Sequence, residues 1–298
     1  MRPLQRLFQA IGLLALAVVA LAVIFAVHGY GLVRGRESRP LLPLRVLPDP
    51  GLASRGRHLA DVTCVGCHSP NDSLPLSGGR VNFLRQRGSP TLGVLYAPNL
   101  TPGGSLKDYP DPELARAIRE GLDRQRGPML VMPSGNYRGL SDRDLAAIIA
   151  YLRAQPAVPG ASPARRLSPL AYLLLGMQAY ETSLQRPVTK PVPRVREAAT
   201  PGYGEYLTGL LGCGDCHGTD FRGGRSPLAP RGPDLLPVVG RYPRTAFRRA
   251  MKQGIGTSGR TLDPVAMPWP VLSRLSDLEV AAVYENLRRQ TGAVRPGS

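Results

Sequence analysis

The sequence is poor in the residues that most often carry covalent and metal chemistry. It has four cysteines, four histidines and one tryptophan among 298 residues. All of the cysteines lie in two C-x-x-C pairs, so no thiol remains for a disulfide framework or for a separate nucleophile. Acidic residues are also scarce, at 21 against 38 lysines and arginines, which gives a formal net charge of +17.

This basic charge is not arranged as it is in most nucleic-acid-binding proteins. The lysines and arginines form no long run, and no basic face is interleaved with aromatic residues. We therefore expect no nucleic acid among the partners, and favour an acidic protein surface or an anionic membrane. With 43% hydrophobic residues, 34 glycines and 31 prolines, the composition predicts short helices joined by ordered loops.

An apolar run near the N-terminus predicts a membrane-spanning helix. Between Leu7 and Val27 only Gln9 is strongly polar, and no residue is charged. At 1.5 Å per helical residue this run can cross about 30 Å of hydrocarbon. We assign residues 7–33 to a transmembrane anchor and residues 34–53 to a tether.

A cleaved signal peptide is the alternative interpretation of the same run. Arg2 and Arg6 precede it, and Ala20-Leu21-Ala22 resembles a cleavage site. The site lies in the middle of the run, however, and the run is long for a signal peptide, so we favour the retained anchor.

Two later segments, 54–155 and 201–291, contain the same features in the same order. Each has C-x-x-C-H, Gly-Gly-Arg, a helix ending at glycine, Met-Pro, and Leu-Ser-Asp before a final amphipathic helix. The pairs are Cys64–His68 and Cys213–His217, Gly78–Arg80 and Gly223–Arg225, Gly121 and Gly254, Met132-Pro133 and Met267-Pro268, and Leu140–Asp142 and Leu275–Asp277. We infer two homologous, mainly helical domains. Between them, residues 156–200 form a Pro-rich linker with a short docking helix within 170–180.

Helix caps can also be predicted in both repeats. Ser141 with Asp144, and Ser276 with Glu279, are spaced as capping boxes at the start of the final helices. Asp111 followed by a proline predicts an N-cap for the middle helix of the first repeat.

The C-x-x-C-H motif is the attachment signature of c-type haem. Two thiols one helical turn apart form thioethers to the vinyl groups, and the adjacent histidine is an iron ligand. The residues are Cys64, Cys67 and His68 in the first copy, and Cys213, Cys216 and His217 in the second. A redox disulfide or paired zinc ribbons would not require histidine after both pairs, so we predict two covalently bound haems c.

Elimination narrows the second axial ligand. Apart from His68 and His217, only His28 in the anchor and His58 remain, so two histidine ligands at both irons are nearly excluded. We assign Met132 and Met267, which share the same downstream spacing and are each followed by proline. Met129 remains a competitor to Met132.

Both repeats resemble class I-type cytochrome c domains, and the pair resembles the cytochrome c subunits of membrane-bound alcohol, aldehyde and gluconate dehydrogenases. The resemblance rests on the C-x-x-C-H motifs, on Tyr96–Pro102, on Arg231–Leu235 and on the Met-Pro and Leu-Ser-Asp motifs. It implies that the Pro98 and Pro233 carbonyls accept from His68 and His217. Those subunits usually carry three haem domains, whereas this chain has two motifs.

These observations predict an all-α protein of two tandem class I cytochrome c domains behind one N-terminal transmembrane helix. Arg80 and Arg225 are candidates to pair with haem propionates. We expect single-electron relay on the outer, periplasmic face of a bacterial cytoplasmic membrane, with redox protein partners that present an acidic docking surface. The alternative is a di-haem enzyme, peroxidase-like or thiosulfate-oxidising, with one catalytic haem.

Overall fold

The computed structural model describes residues 2–44, 46, 49–85, 91–224 and 231–292, and most of these residues are helical or lie in short ordered loops. The helices of the first half are α1 (Arg2–Arg34), α2 (Pro50–Thr63), α3 (Val65–His68), α4 (Asp111–Glu120), α5 (Ser134–Tyr137), α6 (Asp142–Ala154) and α7 (Pro169–Gly176). Those of the second half are α8 (Pro201–Leu210), α9 (Cys213–His217), α10 (Leu236–Arg241), α11 (Arg244–Gln253), α12 (Trp269–Leu272) and α13 (Asp277–Gly292).

One small sheet departs from the all-α expectation. Strands β1 (Gly93–Val94) and β2 (Arg166–Leu167) pair antiparallel. They fix a segment after the first repeat against the loop that follows α3. Strands of two residues are too short to show a period-2 pattern of hydrophobicity, so they cannot be predicted from the sequence.

Helix α1 is long and apolar enough to cross a membrane. The most apolar 18 consecutive residues of Pro3–Arg34 have a mean hydropathy of 3.0, and none of them is buried inside the protein. Only the C-terminal end of α1 packs on the rest of the chain, against α7. There, a Cβ on Gly29 would overlap the Tyr172 carbonyl oxygen, and one on Gly176 would overlap that of Phe25.

Each repeat is built on a crossed pair of its first and last long helices. Helix α2 packs on α6, and α8 packs on α13. A Cβ on Gly56 would overlap the Ala147 carbonyl oxygen, and one on Gly204 would overlap that of Ala282. Glycine at these two positions therefore lets the helix backbones touch.

Both predicted serine caps of the final helices are present, but only one capping box is complete. The capping box in the second repeat is complete, because Ser276 N donates to Glu279 Oε2 (2.8 Å) and Glu279 N donates to Ser276 Oγ (3.2 Å). In the first repeat Asp144 N donates to Ser141 Oγ (3.1 Å), but the carboxylate of Asp144 binds Arg55 instead.

The middle helices end as predicted but begin differently. Gly121 and Gly254 are left-handed, with φ of 69° and 66°, and end α4 and α11. The cap predicted at Asp111 is wrong, because Pro110 is the N-cap and Asp111 is the first residue of α4. The carboxylate of Asp111 is instead bound by Arg153 at 2.8 Å.

The segments before and after the first repeat lie on its surface. Arg39 forms an ion pair with Glu120 at 3.0 Å, and both side chains are almost fully buried. On the other side, the Asn99 amide donates to the carbonyls of Val158 (2.9 Å) and Gly160 (3.0 Å). The predicted tether and linker therefore make specific contacts with this repeat.

The two repeats contact each other through equivalent elements. Helix α2 of the first contacts α12 of the second, and α8 of the second contacts α5 of the first. Val62 is buried in the core of the second repeat, and Leu210 in the core of the first. Each repeat thus gives the other the same surface, as the subunits of a twofold-symmetric dimer do.

Candidate functional site

The two C-x-x-C-H motifs form short helices that follow the first long helix of each repeat. Cys64 is the residue between α2 and α3, and its N–H donates to the Ala60 carbonyl. In the second repeat, Gly212 takes a left-handed conformation with φ of 65° just before Cys213. That glycine accommodates one extra residue between the long helix and the motif. The described residues contain no cluster of three or more His, Cys, Asp or Glu side chains that would suit an ion such as zinc.

The histidines of both motifs are held in the same way. Nδ1 of His68 lies 2.9 Å from the Pro98 carbonyl oxygen, and Nδ1 of His217 lies 2.9 Å from that of Pro233. A carbonyl oxygen can only accept, so Nδ1 carries the proton and donates in each case. Nε2 of each imidazole is left with its lone pair, as a metal ligand requires. The structure thus brings together the two residue pairs that the resemblance implied.

Both Met-Pro pairs form the same tight turn. Pro133 has φ −78° and ψ 58°, and Pro268 has φ −75° and ψ 52°, which are values of an inverse γ-turn. The N–H two residues after each methionine donates to the methionine carbonyl, from Ser134 at 2.8 Å and from Trp269 at 2.6 Å. Because proline restricts φ to this region, the turn holds each methionine in a defined position.

A large apolar cavity lies at the first motif. Its volume of about 450 Å³ is in the range of small-molecule and cofactor sites. Cys64, Cys67 and His68 line it, together with both candidate methionines, Met129 and Met132. Apolar side chains of α4 and α6 complete the lining, among them Leu114, Ile118, Ile148 and Leu152.

Burial shapes the chemistry of the motif residues. It raises the pKa of Cys64 to about 11 and that of Cys213 to about 12, so both are neutral thiols at pH 7. Burial lowers the pKa of His68, and the hydrogen bond to Pro98 only partly opposes this. A neutral imidazole keeps the Nε2 lone pair that a metal ligand needs.

In the second repeat the corresponding residues share one core. Met267 and Cys213 both pack against the apolar cluster that contains Leu207, Met251 and Val283. Met251 is itself buried in that cluster, on the inward face of α11. Gly232 faces His217, since a Cβ there would lie 2.6 Å from the ring Nδ1. The absence of a side chain at Gly232 therefore lets the loop of Pro233 approach the imidazole.

Met129 and Met132 differ in how their backbones are held. Met129 N donates to the Gly121 carbonyl at 2.7 Å, and Ser183 N donates to the Met129 carbonyl at 2.7 Å. The equivalent bond in the second repeat runs from Leu262 N to Gly254 O at 2.6 Å. Met129 therefore corresponds to a leucine, whereas Met132 corresponds to Met267 in both turn geometry and position.

Of the two predicted arginines, the structure describes only Arg80. Arg80 is exposed and does not line the cavity at the first motif. Arg225 lies outside the described residues. Their assignment to propionates stays a prediction.

Sequence reasoning missed a contact that joins the two motif regions. Asn136, in the short helix after Met132-Pro133, donates to the carboxylate of Asp215 at 2.8 Å. Asp215 is inside the second C-x-x-C-H motif, and Tyr137 next to Asn136 lines the first cavity. In the sequence, Asp215 is a polar residue at one of the two unspecified positions of C-x-x-C-H, and this alone does not identify its partner.

The residues at the first motif fit a haem c. The cavity is apolar, two thiols and an imidazole line it, and a thioether is available among its other lining residues. Asp123, Arg124 and Arg165 are the charged side chains among its lining residues.

Comparisons with known proteins agree with this geometry. The sequence profile of the cytochrome c family matches residues 53–156. The chain is 29% identical over 176 residues to the gluconate 2-dehydrogenase cytochrome c subunit of Pantoea cypripedii, covering 56% of this chain and 38% of that protein. It is 32% identical over 111 residues to the cytochrome subunit of fructose dehydrogenase from Gluconobacter japonicus, covering 35% of this chain and 22% of that protein.

A third relative matches more closely over a shorter stretch. The cytochrome c subunit of the quinone alcohol dehydrogenase of Gluconobacter oxydans is 36% identical over 93 residues, 27% of this chain and 19% of that protein. The chain thus spans well under half the length of these relatives. Residues 53–156 form a cytochrome c domain, which indicates covalently bound haem c, and the chain resembles the cytochrome c subunits of dehydrogenases.

Proposed function

We propose that the chain is a membrane-anchored di-haem c-type cytochrome that relays single electrons on the outer face of the cytoplasmic membrane. It would act as a subunit or partner of a respiratory or dehydrogenase complex. The observation that carries this proposal is the same histidine–carbonyl bond of 2.9 Å in both repeats, to Pro98 and to Pro233. Its occurrence twice supports two haem sites of the same construction.

The residues of each repeat have defined parts in this function. Cys64 and Cys67, and in the second repeat Cys213 and Cys216, would hold the porphyrin through thioethers. Haem c, when bound, supplies an iron that accepts and releases one electron at a time. The two carbonyls orient the imidazoles and increase their basicity, which favours iron ligation.

Met132 and Met267 would supply the second axial ligand. A neutral thioether favours the reduced iron more than a second imidazole does, so the reduction potential is raised. With a histidine and a methionine both bound to each iron, the chain would leave no iron position free for a substrate. This favours electron relay over the alternative of a peroxidase-like or thiosulfate-oxidising enzyme.

The length and apolar character of α1 support the anchor, since none of its most apolar 18 residues is buried inside the protein. Because the haem of a c-type cytochrome is attached outside the cytoplasmic membrane in bacteria, we place both repeats on the periplasmic side. Mass spectrometry of the purified protein tests whether the anchor is retained, since cleavage near Ala22 would remove most of it.

The partner would be a redox protein with an acidic docking surface. The chain carries a formal charge of +17, so complementary charge would accelerate encounter. The rate of electron exchange should then fall as ionic strength rises, because exposed charges are screened beyond about 10 Å at 0.1 M salt.

The decisive experiment is magnetic circular dichroism of the oxidised full chain, with haem content measured as the pyridine haemochrome. We expect two haems per chain and two low-spin centres with histidine and methionine ligands. Met132→Ala and Met267→Ala should each convert one centre, whereas Met129→Ala and the exposed Met177→Ala should convert none. One haem per chain, or a high-spin centre in the wild type, would refute the di-haem relay.

A further inference from the structure

A second cavity lies beside the one at the first motif, where α1 leaves the apolar run, and the two share Asp123, Gln125 and Arg165 in their linings. Its volume is about 270 Å³. Arg34 and Arg36 at the end of α1 line it, together with Arg165 beside β2. Val33, Tyr172 and Leu167 form its apolar wall, and Asp123 with Gln125 and Gly127 forms the opposite side.

The cavity has an excess of positive charge. Its three guanidinium groups face one carboxylate, Asp123, whose Oδ2 is 3.9 Å from Arg165. The other oxygen of Asp123 accepts from Gly127 N at 2.8 Å, so this carboxylate is partly used within its own turn. In the described part of the chain neither Arg34 nor Arg36 forms an ion pair, and both are exposed.

Two of the three arginines are held in position. Arg165 donates to the Pro128 carbonyl at 2.8 Å, which leaves the rest of its guanidinium facing the cavity. Arg34 lies over the ring of Tyr30, 5.2 Å from its centre. Arginine forks match the oxygens of a phosphate, and held side chains lose less entropy when they bind one.

The position along α1 places this cavity at the level of lipid headgroups. The apolar run up to Val27 spans about 30 Å of hydrocarbon, and Arg34 lies roughly 10 Å further along the helix. Apolar surface continues on both sides, with Leu32 exposed on α1 and Leu170 and Met177 exposed around α7. Positive charge beside exposed apolar surface suits a molecule with an anionic head and an apolar tail.

We propose that this cavity binds the phosphate headgroup of an anionic phospholipid from the outer leaflet, with its acyl chains along α1 and α7. The inference rests on the proposed membrane anchoring. It does not depend on the number of haems or on their ligands.

The test uses the full haem-loaded chain in a non-ionic detergent and measures binding by titration calorimetry. The probes are dihexanoyl phosphatidylglycerol, dihexanoyl phosphatidylcholine and inorganic phosphate. The variant is Arg34→Gln/Arg36→Gln/Arg165→Gln, and its matched control is Arg241→Gln/Arg244→Gln/Arg260→Gln, three exposed arginines of the second repeat.

We expect phosphatidylglycerol to bind the wild type and the control alike, and the triple variant about 100-fold more weakly, or about fivefold per arginine. Arg36 lies beyond the end of α1. The single substitution Arg36→Gln should therefore weaken lipid binding about fivefold without affecting the fold. Phosphatidylcholine and inorganic phosphate should each bind the wild type at least tenfold more weakly.

Three results would overturn the proposal. These are equal binding by the triple variant and the control, equal binding of the two lipids, or binding of inorganic phosphate as tight as that of phosphatidylglycerol. Haem absorbance and circular dichroism of the same samples report folding and haem content. A lipid site in a chain with one haem would refute the di-haem relay alone, and the reverse result would refute this site alone.

Discussion

Nε2 of His58 lies 2.8 Å from Oε2 of Glu279, which joins α2 of the first repeat to α13 of the second. The equivalent contact in the opposite direction is made by Tyr206, whose hydroxyl donates to Asp144 at 2.7 Å. His58 and Tyr206 each follow by two positions the glycine at which their helix crosses its partner. The interface between the repeats is therefore built twice from equivalent positions, with different side chains.

The first prediction concerns Glu279 and acid stability. Burial raises the pKa of this carboxyl, but hydrogen bonds from His58 and Ser276 outweigh burial and bring the pKa to about 2. Because the folded-state pKa lies below the unfolded value, the stabilisation is complete above about pH 4.5 and is lost as pH falls towards 2. Glu279→Gln should lower the free energy of unfolding by about 2–3 kcal/mol at pH 7 and by little at pH 2.

Urea titrations at several pH values measure this effect. The control is Glu205→Gln, an exposed carboxylate paired with Arg289, which should stay within about 0.5 kcal/mol of the wild type throughout. If the curve of Glu279→Gln runs parallel to that of the wild type from pH 7 to pH 2, the assignment of the low pKa is wrong.

The second prediction tests the crossing of α8 and α13. Gly204→Ala places a methyl group against the Ala282 carbonyl and should cost about 2–3 kcal/mol of unfolding free energy, since backbone must move. Gly209→Ala lies in the same helix with no atom within 4 Å and should be neutral or stabilising by up to about 1 kcal/mol. Thermal unfolding measures the stability of both variants. Equal changes in stability would contradict the close approach of the α8 and α13 backbones at Gly204.

The third prediction concerns Asn99, which is 3% exposed. Its amide binds the carbonyls of Val158 and Gly160, and its Oδ1 accepts from Thr101 N at 2.9 Å. Asn99→Ala removes the donor to Gly160, one of the two donors to Val158 and the acceptor for Thr101 N, and should cost about 1–3 kcal/mol of unfolding free energy. Limited proteolysis should then cut near 158–160 faster, whereas Asn71→Ala, in an exposed turn, should leave the cleavage rate unchanged.

The fourth prediction compares two ion pairs. Arg274 binds Asp61 of the other repeat at 2.8 Å, and the two side chains are 25% and 31% exposed. Arg248 binds Asp277 within its own repeat at the same distance but is 48% exposed. Arg274→Ala should cost about 1–2 kcal/mol of unfolding free energy, whereas Arg248→Ala should have no measurable effect because its ion pair is screened by solvent. An unchanged free energy of unfolding for Arg274→Ala in chemical denaturation would show that the contact between the repeats adds no stability.

Local features of this chain could be predicted because their signals are local. The final helices and their serine caps follow from apolar spacing and from capping residues within four positions of each other. The cap at Asp111 failed because Pro110 fixes its own φ and can end the preceding turn, so the helix begins one residue earlier than a capping Asp111 requires. The pairing of His68 with Pro98 came from a resemblance, since no pattern links residues so far apart.

The long-range packing could not be predicted in the same way. That α7 would lie on α1 depends on Gly29 and Gly176 meeting backbone on a partner helix, and glycine alone does not identify a partner. Val62 packs into the core of the second repeat and Leu210 into the core of the first. These contacts likewise depend on how the surfaces of the two repeats fit each other. A single sequence specifies which faces are apolar, but not which apolar faces meet.

The packing of α7 on α1, together with the bond of Arg39 to Glu120, removes the freedom expected of a tethered domain. A cytochrome domain on a flexible linker can change its orientation and its distance from the membrane, so it can contact partners at several heights. If α1 crosses the membrane as proposed, its packing on α7 fixes the height and tilt of the folded part relative to the bilayer. A redox partner would then have to reach the chain at this one height, either by lateral diffusion or as a bound neighbour.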